Sequence, residues 1–432
     1  MYDFSIDAYL EEKVEKIIRC NQNVLLHGPG GTGKTAIINK LYSKYSQKYR
    51  IIKLASTGAA AQNIGGYTIH SIFHFKSEFQ FPSNYDFKND PYIKEANIII
   101  IDEMSMMGSD VLQAVDENLK FIMKDNRPFG GKKMILSGDF LQLPPVVLPE
   151  IKIYYQKCFN GAFLFNCNAF KNGNFIRFEL TKILRQQDEK FQNMLNAIRV
   201  GNVDQSLLNT FNERYIPVDY TNFQNNTLIN DSIILCPKKY LVNYYNKTYL
   251  NTFNTQGDNF KAIIKGYYPP NLYPTEYNIS LKIGARVMLI RNESEQRYVN
   301  GSIGKITGLG KDRIQVLVNN YDVELRKFQW ENKVPKYDEI NKREYFETVG
   351  TFYQFPCILC CCVTIHRVQG ATFNSVLIDK GDGFFASGQL YVALSRCKSF
   401  DGLFLGKKLS FKDMIVDRQV LEFLKNSEYE LL

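Results

Sequence analysis

Eight consecutive residues near the N-terminus, Gly28-Pro29-Gly30-Gly31-Thr32-Gly33-Lys34-Thr35, have the spacing G-x-x-x-x-G-K-[ST]. Glycines in this pattern let backbone N–H groups wrap a β-phosphate at the positive end of the helix that follows. The lysine then reaches the β and γ oxygens, and the threonine hydroxyl is a hard ligand for Mg²⁺. Further on, the apolar run Ile98–Ile101 ends in Asp102 and Glu103. A carboxylate at such a strand end helps to hold Mg²⁺, the role given to Asp102, and Glu103 can polarise an attacking water as general base. A third apolar run, Met134–Ser137, leads into Gly138-Asp139-Phe140-Leu141-Gln142-Leu143-Pro144-Pro145. There Gln142 is the candidate sensor of the γ-phosphate. Adjacent acids after a strand are common, and Q-L-P-P alone is only a turn. Joined to the glycine loop, they point to nucleoside triphosphate hydrolysis.

These groups need strands that end where the chemistry begins. Val24–His27, Ile51–Ala55, Ile98–Ile101 and Met134–Ser137 read as buried strands of a parallel α/β unit. Helical patterns lie at Thr35–Ser46, Ala59–Asn63 and Gly108–Lys124, and again at Phe191–Val200, where Phe191, Met194, Leu195 and Ile198 share a face. Later strand-like runs occur at Ser232–Leu235, Ala285–Ile290 and Val376–Ile378. An aromatic and polar stretch after Phe73 lacks clear periodicity and reads as an insertion. Between Gly301 and Gly350 short β runs with glycine turns read as a small β-barrel. The expected fold class is α/β, with two domains and one insertion in each.

The chain has 432 residues, a length that suggests two to four domains. Its 53 Lys+Arg against 44 Asp+Glu leave +9, a mild excess that suits a phosphate-rich partner. The 31 Phe and 27 Tyr add rings on which bases can stack, or simply core. No apolar run has the ~18–20 residues of a membrane span, and the acidic N-terminus has no leader-like pattern. We expect an intracellular soluble protein without a membrane partner; nucleus, cytoplasm and a viral replication site are equally open. Cys357-x-x-Cys360 has ligand spacing, but no second Cys/His pair matches it, so Cys357, Cys360, Cys361 and Cys362 are expected in a buried strand.

The full set of motifs resembles the superfamily 1B DNA helicases of the PIF (petite integration frequency) and RecD-like group. In chain order, Leu54-Ala-Ser-Thr57-Gly58 resembles motif Ia and Thr68-Ile-His70-Ser71 the segment after it. Asp102-Glu103-Met-Ser resembles motif II, and Gly138-Asp-x-x-Gln142-Leu-Pro-Pro motif III. Leu180-Thr-x-x-x-Arg185-Gln186 resembles motif IV. Leu281–Leu289 and Val299-Asn300-Gly301 match a signature before an SH3-like insertion. Thr364-Ile-His366-Arg-Val-Gln369-Gly370 resembles motif V, and Gly388-Gln-Leu-Tyr391-Val-Ala-Leu-Ser395-Arg396 motif VI.

The resemblance implies two RecA-like P-loop domains. Residues 1–176 would form the first, with a wedge insertion at about 73–92, and residues 177–432 the second, with an SH3-like barrel at about 302–350. It implies ATP and Mg²⁺ as cofactors, with Arg185 and Arg396 as arginine fingers and Gly370 beside the nucleotide. Thr57, His70, Ser71, Thr364, His366 and Gln369 would face a single DNA strand. Phe75, Phe79 or Phe81 would stack at the fork, and Phe79 would bind DNA there. The expected activity is 5′→3′ DNA translocation and unwinding in replication, repair or recombination, with a monomer as minimal unit and single-stranded and forked DNA as partners. A translocase or RNA-directed helicase keeps every hydrolytic residue and stands as the alternative. The chain departs from the group in having no glutamine before Gln22 to read adenine, Phe352 for an arginine, and Cys360-Cys-Cys362 before motif V.

Overall fold

The computed structural model describes residues 4–75, 79–82, 85, 87, 90–186, 188–217, 232–255, 257–291, 293, 297–298, 300–338 and 343–432. The first lobe is built on parallel strands β1 (Asn23–His27), β2 (Ile51–Ala55), β3 (Tyr67–Thr68), β4 (Ile98–Asp102), β5 (Lys133–Gly138) and β6 (Phe175–Glu179). Strand Tyr429–Leu431 joins them, and the order across the sheet is Tyr429–Leu431, β6, β1, β5, β4, β2, β3. β1, β2, β4 and β5 are apolar without alternation because helices cover both faces of the sheet. Helices α1 (Phe4–Arg19) and α2 (Lys34–Tyr45) lie together, and Ile37, Ile38 and Leu41 of α2 are buried against β1, β4 and β5. On the other face, helix Ser109–Met123 is buried along most of its length. Short helices Lys152–Phe159 and Asn168–Lys171 pack on it, and from the aromatic insertion Gln80 N–H donates to Asp110 and Phe87 meets Phe121.

The second lobe has a four-stranded parallel sheet in the order Cys362–Thr364, Ile233–Cys236, Val376–Ile378, Leu403–Leu405. Helices Glu189–Val200 and Gln389–Leu394 pack on it through Phe191, Leu195, Leu390 and Val392. The cysteines lie inside: Cys357, Cys360, Cys361 and Cys362 are buried, and Cys362 Sγ is 3.3 Å from Cys236 Sγ. Among the described residues no group of three or more His, Cys, Asp or Glu is placed to hold a metal ion, and no helix is long and apolar enough to cross a membrane.

Three expected boundaries shift. A division at 176/177 cuts through β6, which pairs with β1 along its whole length. The C-terminus also leaves the second lobe: helix Arg418–Asn426 buries Val420 in the first lobe's core, and Tyr429–Leu431 pairs with β6. The barrel extends beyond 302–350. Its antiparallel sheet runs Tyr321–Arg326, Arg313–Val318, Ile303–Leu309, Arg286–Leu289, Cys357–Leu359, and its core draws Phe260, Ile279 and Leu281 from a separate strand pair. Glycine turns mark only the middle of this unit. From it a hairpin, Phe328–Asp338 with Arg343–Gln354, reaches the short helices Ile69–Ile72 and Pro91–Lys94 of the first lobe.

Candidate active site

Ligands of open parallel sheets bind beyond the carboxyl ends of the strands, and there the predicted residues of the first lobe converge. β1 ends at His27 and the loop 28–35 carries the chain into α2. Gly31 and Gly33 both have φ +87°, a left-handed conformation that favours glycine, and a Cβ on Gly31 would lie 2.6 Å from Arg185 Cβ. The loop is also tied across the chain, since Leu184 N–H donates to Gly31 O (2.8 Å) and Gly30 N–H to the Tyr391 hydroxyl (2.9 Å). Lys34 Nζ donates to Gly28 O and Pro29 O, at 2.7 and 2.9 Å. Burial pulls its pKa down, opposed by Asp139, Glu103 and Asp102.

β4 delivers the two carboxylates. Asp102 accepts from Thr35 Oγ1 (3.1 Å) and Ser137 Oγ (2.8 Å), which aims it from β4 towards the foot of the loop. Glu103 has φ +50° and ψ +46°, a conformation costing of the order of 1–3 kcal/mol in a residue with a Cβ. Ser56 Oγ donates to its carbonyl (2.8 Å) and holds the turn. The turn sends the Glu103 side chain into the cleft. Burial pushes the pKa of both carboxyls up, and Asp102 pushes Glu103 further. Hard oxygens from Thr35 and Asp102, side by side, fit the donor set that Mg²⁺ requires.

Across the cleft, Arg396 is 1% exposed. It is held by Val392 O (2.9 Å), Ala371 O (3.1 Å) and Ser395 Oγ (2.8 Å). Its guanidinium lies 3.4 Å from the point where a Cβ on Gly30 would sit, beside Gln142 Nε2 at 3.3 Å. Arg185 donates to Gly370 O (3.0 Å). Burial lowers the pKa of Arg396 to about 9, with Arg185 adding to the shift, so Arg396 stays charged at neutral pH; burial also lowers the pKa of Arg185, opposed by Tyr391 and Glu103. Two neighbouring guanidiniums facing a glycine-rich loop form an anion site. Together these residues line a cavity of about 840 Å³ that includes Thr35, Glu103, Gln142, Gln369, Gly370 and Arg396.

The proposed DNA-facing residues divide. Thr57 and His70–Ser71 follow the ends of β2 and β3, the edge of the sheet away from β1, and Thr364 ends the edge strand of the second sheet. Thr57 caps helix α3 (Gly58–Asn63), accepting from Ala60 N–H, and Ser71 Oγ donates to Thr68 O. Burial lowers the pKa of His70 and His366, which favours neutral rings. The His366 ring stacks on exposed Phe385 (6.2 Å, 15°). Gln369 is not with them: its Nε2 donates to Glu103 Oε2 (2.9 Å) inside the cavity. Phe79 is a second correction. It is 8% exposed and packs edge-on against Tyr155 (4.8 Å) and near Phe159, so its ring is core and has no face left for a base. Phe81 stays half-buried on Tyr154. Within the wedge interval, residues 76–78, 83–84, 86 and 88–89 lie outside the described residues, as does Val299 of the barrel signature.

The groups that join motifs were not legible in the sequence. Arg199 makes a buried pair with Asp139 (2.8 and 3.0 Å), linking helix Glu189–Val200 to the loop that bears Gln142. His27 is placed between Asp139 and Glu179. Asn300 and Gly301, at the root of the barrel, line the cavity, and Asn300 meets Asn63 of α3 at 3.2 Å. Tyr391 and Asn300 stood inside quoted motifs, but spacing gave no hint that a hydroxyl from motif VI would bind the glycine loop.

Comparison with known proteins follows the same lines. Residues 8–208 match the PIF1-like helicase family. The chain is 29% identical to the ATP-dependent DNA helicase Pif1 of Campylobacter jejuni, with 97% of each chain covered. It is 28% identical to human ATP-dependent DNA helicase PIF1 over 97% of this chain, but spans only 64% of that longer protein. The crystal structure of Pif1 helicase from Bacteroides in complex with ADP-AlF3 and single-stranded DNA superposes with a TM-score of 0.73 at 32% identity, covering 96% of this chain and 95% of that one. Ordered motifs, paired lobes and these likenesses agree, and the chain belongs to the PIF1-like helicase family.

Proposed function

We propose that this chain is an ATP-dependent DNA helicase that moves 5′→3′ along a single strand and separates duplex ahead of it. One observation carries the reading. The loop 28–35, Glu103 and Gln142 of the first lobe share a single cavity with Arg396 and Gln369 of the second, so hydrolysis depends on how the lobes sit together. The relatives named above are called ATP-dependent DNA helicases, and the Bacteroides structure holds single-stranded DNA.

Lys34 leaves the carbonyls of Gly28 and Pro29 to hold the β and γ oxygens. Thr35 and Asp102 would hold Mg²⁺, which neutralises phosphate charge when bound. Glu103 takes the proton of the attacking water while Gln142 contacts the γ-phosphate. Arg185 and Arg396 balance the charge that develops there, a contribution worth about 10³–10⁵ in rate for arginine fingers. Loss of the γ-phosphate removes the anion that holds both guanidiniums, and the lobes reopen. Thr57, His70, Ser71, Thr364 and His366 hold the strand from both lobes through neutral groups, without reading sequence.

A second reading, a translocase that leaves forks closed, is favoured by Phe79, whose burial removes one ring from the proposed wedge. Forked duplexes with a 5′ or a 3′ single-stranded tail separate the two. Unwinding of the 5′-tailed fork alone, lost in Lys34→Ala, is expected; DNA-stimulated hydrolysis with neither fork opened would leave the translocase.

A further inference from the structure

Gln369 stands apart from its neighbours in motif V. The strand Cys362–Thr364 and the turn Ile365–Val368 carry Thr364 and His366 to the proposed DNA face. Gln369 follows directly, its N–H bonded to His366 O (3.4 Å), and its side chain enters the nucleotide cavity instead. One end of the amide is engaged, with Nε2 donating to Glu103 Oε2 at 2.9 Å. The other end, Oε1, is buried and has no hydrogen-bond partner among the described residues. Turning the amide over would set oxygen against carboxylate, so the charge on Glu103 fixes its orientation.

A buried carbonyl oxygen without a donor is costly and calls for one. The donor that hydrolysis brings to this place is water. We propose that Gln369 orients the attacking water together with Glu103, and that, because it comes from the second lobe, hydrolysis is complete only when the lobes are closed. This inference rests on the ATPase reading above. Water donates one hydrogen to Gln369 Oε1 and the other to Glu103, leaving a lone pair for the γ-phosphorus. As the water oxygen bonds to phosphorus, the bond from phosphorus to the β–γ bridging oxygen breaks. ADP leaves with that electron pair, and the water proton passes to Glu103. The same amide that receives the water restrains Oε2 of the base. Arg185, bonded to the carbonyl of the adjacent Gly370, registers this segment against the γ-phosphate position.

The test measures steady-state ATP hydrolysis across single-stranded DNA concentrations in wild type, Gln369→Ala and Gln369→Met, with DNA affinity measured separately. Methionine keeps the length and the packing but neither polar atom. Wild-type hydrolysis abolished by Glu103→Gln tests the underlying reading by itself. Given that activity, kcat at saturating DNA is expected to fall by the order of 10²-fold in both variants. The KM for ATP and the DNA affinity should change by no more than about 3-fold, the pattern of an interaction made in the transition state. A normal kcat in Gln369→Met, or a loss in either variant that saturating DNA restores, overturns the proposal. The second result would return Gln369 to the DNA face.

Discussion

His27 ends β1 with its two ring nitrogens in different company. Nδ1 lies 2.8 Å from Glu179 Oε2 of β6, while Nε2 faces the Phe140 N–H at 3.3 Å. A carboxylate needs a donor and an N–H an acceptor, so the ring is neutral with its proton on Nδ1. Asp139 stands 3.5 Å from Nε2, already engaged by Arg199. Burial lowers the folded-state pKa below the ordinary 6.5, against the opposing pull of Glu179 and Asp139. Below the unfolded pKa the unfolded chain binds a proton that the folded chain refuses, so stability falls as pH drops below 6.5 and is fully present above it. His27→Asn keeps a donor for Glu179 and cannot titrate. Between about pH 7.5 and about pH 5.5, its urea midpoint should drop less than that of wild type. Equal drops would show that His27 does not contribute to acid lability.

At the scale of elements, the aromatic insertion shows what periodicity can and cannot reveal. Four strands of the first sheet were legible because they are buried on both faces and read as unbroken apolar runs, and Asp102, Glu103 and Gln142 were legible because they follow those runs. The insertion has no such rule. Phe75, Phe79 and Phe81 alternate with polar residues, and that pattern cannot distinguish a ring packed on a neighbour from one offered to DNA. The answer came from another element: Tyr155 of helix Lys152–Phe159 receives Phe79, and its hydroxyl donates to Asp110 (2.7 Å), which also accepts the Gln80 N–H (3.0 Å). Phe79→Ala should therefore cost about 3–5 kcal/mol of stability, the range for a buried aromatic ring. Its affinity for single-stranded DNA, measured where the variant is folded, should match wild type. Weakened DNA binding with unchanged stability would restore the stacking role. The Asp139–Arg199 pair was hidden for a related reason, since a carboxylate and a guanidinium 60 residues apart reveal their pairing only once helix Glu189–Val200 docks on the motif III loop.

For the whole molecule, the path of the chain matters more than the division into halves. It leaves the first lobe after β6, and the crossing carries Leu184 and Arg185 directly against the glycine loop. After Leu403–Leu405 it returns. Phe423 stacks on Phe165 at 4.3 Å and meets Phe140 edge-on at 5.4 Å, in the segment that leads to Gln142. Arg177 of β6 donates to Leu424 O (2.8 Å) and covers the Tyr429 ring at 4.6 Å. Nothing in the sequence placed this segment, because Arg418–Asn426 and Tyr429–Leu431 are short and follow directly on the second lobe. The two lobes are thus joined at both ends of the second, and a hinge between them must involve both crossings. The first lobe should then not fold from its N-terminal residues alone. A fragment of residues 1–180 is expected to aggregate or melt without cooperativity, whereas the same fragment with residues 416–432 joined by a flexible linker should unfold in one transition. In the intact chain, Phe423→Ala should remove about 2–3 kcal/mol, as a half-buried aromatic ring would. Cooperative unfolding of 1–180 by itself would show that the returning segment decorates the lobe rather than completes it, and would leave the crossing at Leu184 and Arg185 as the sole hinge.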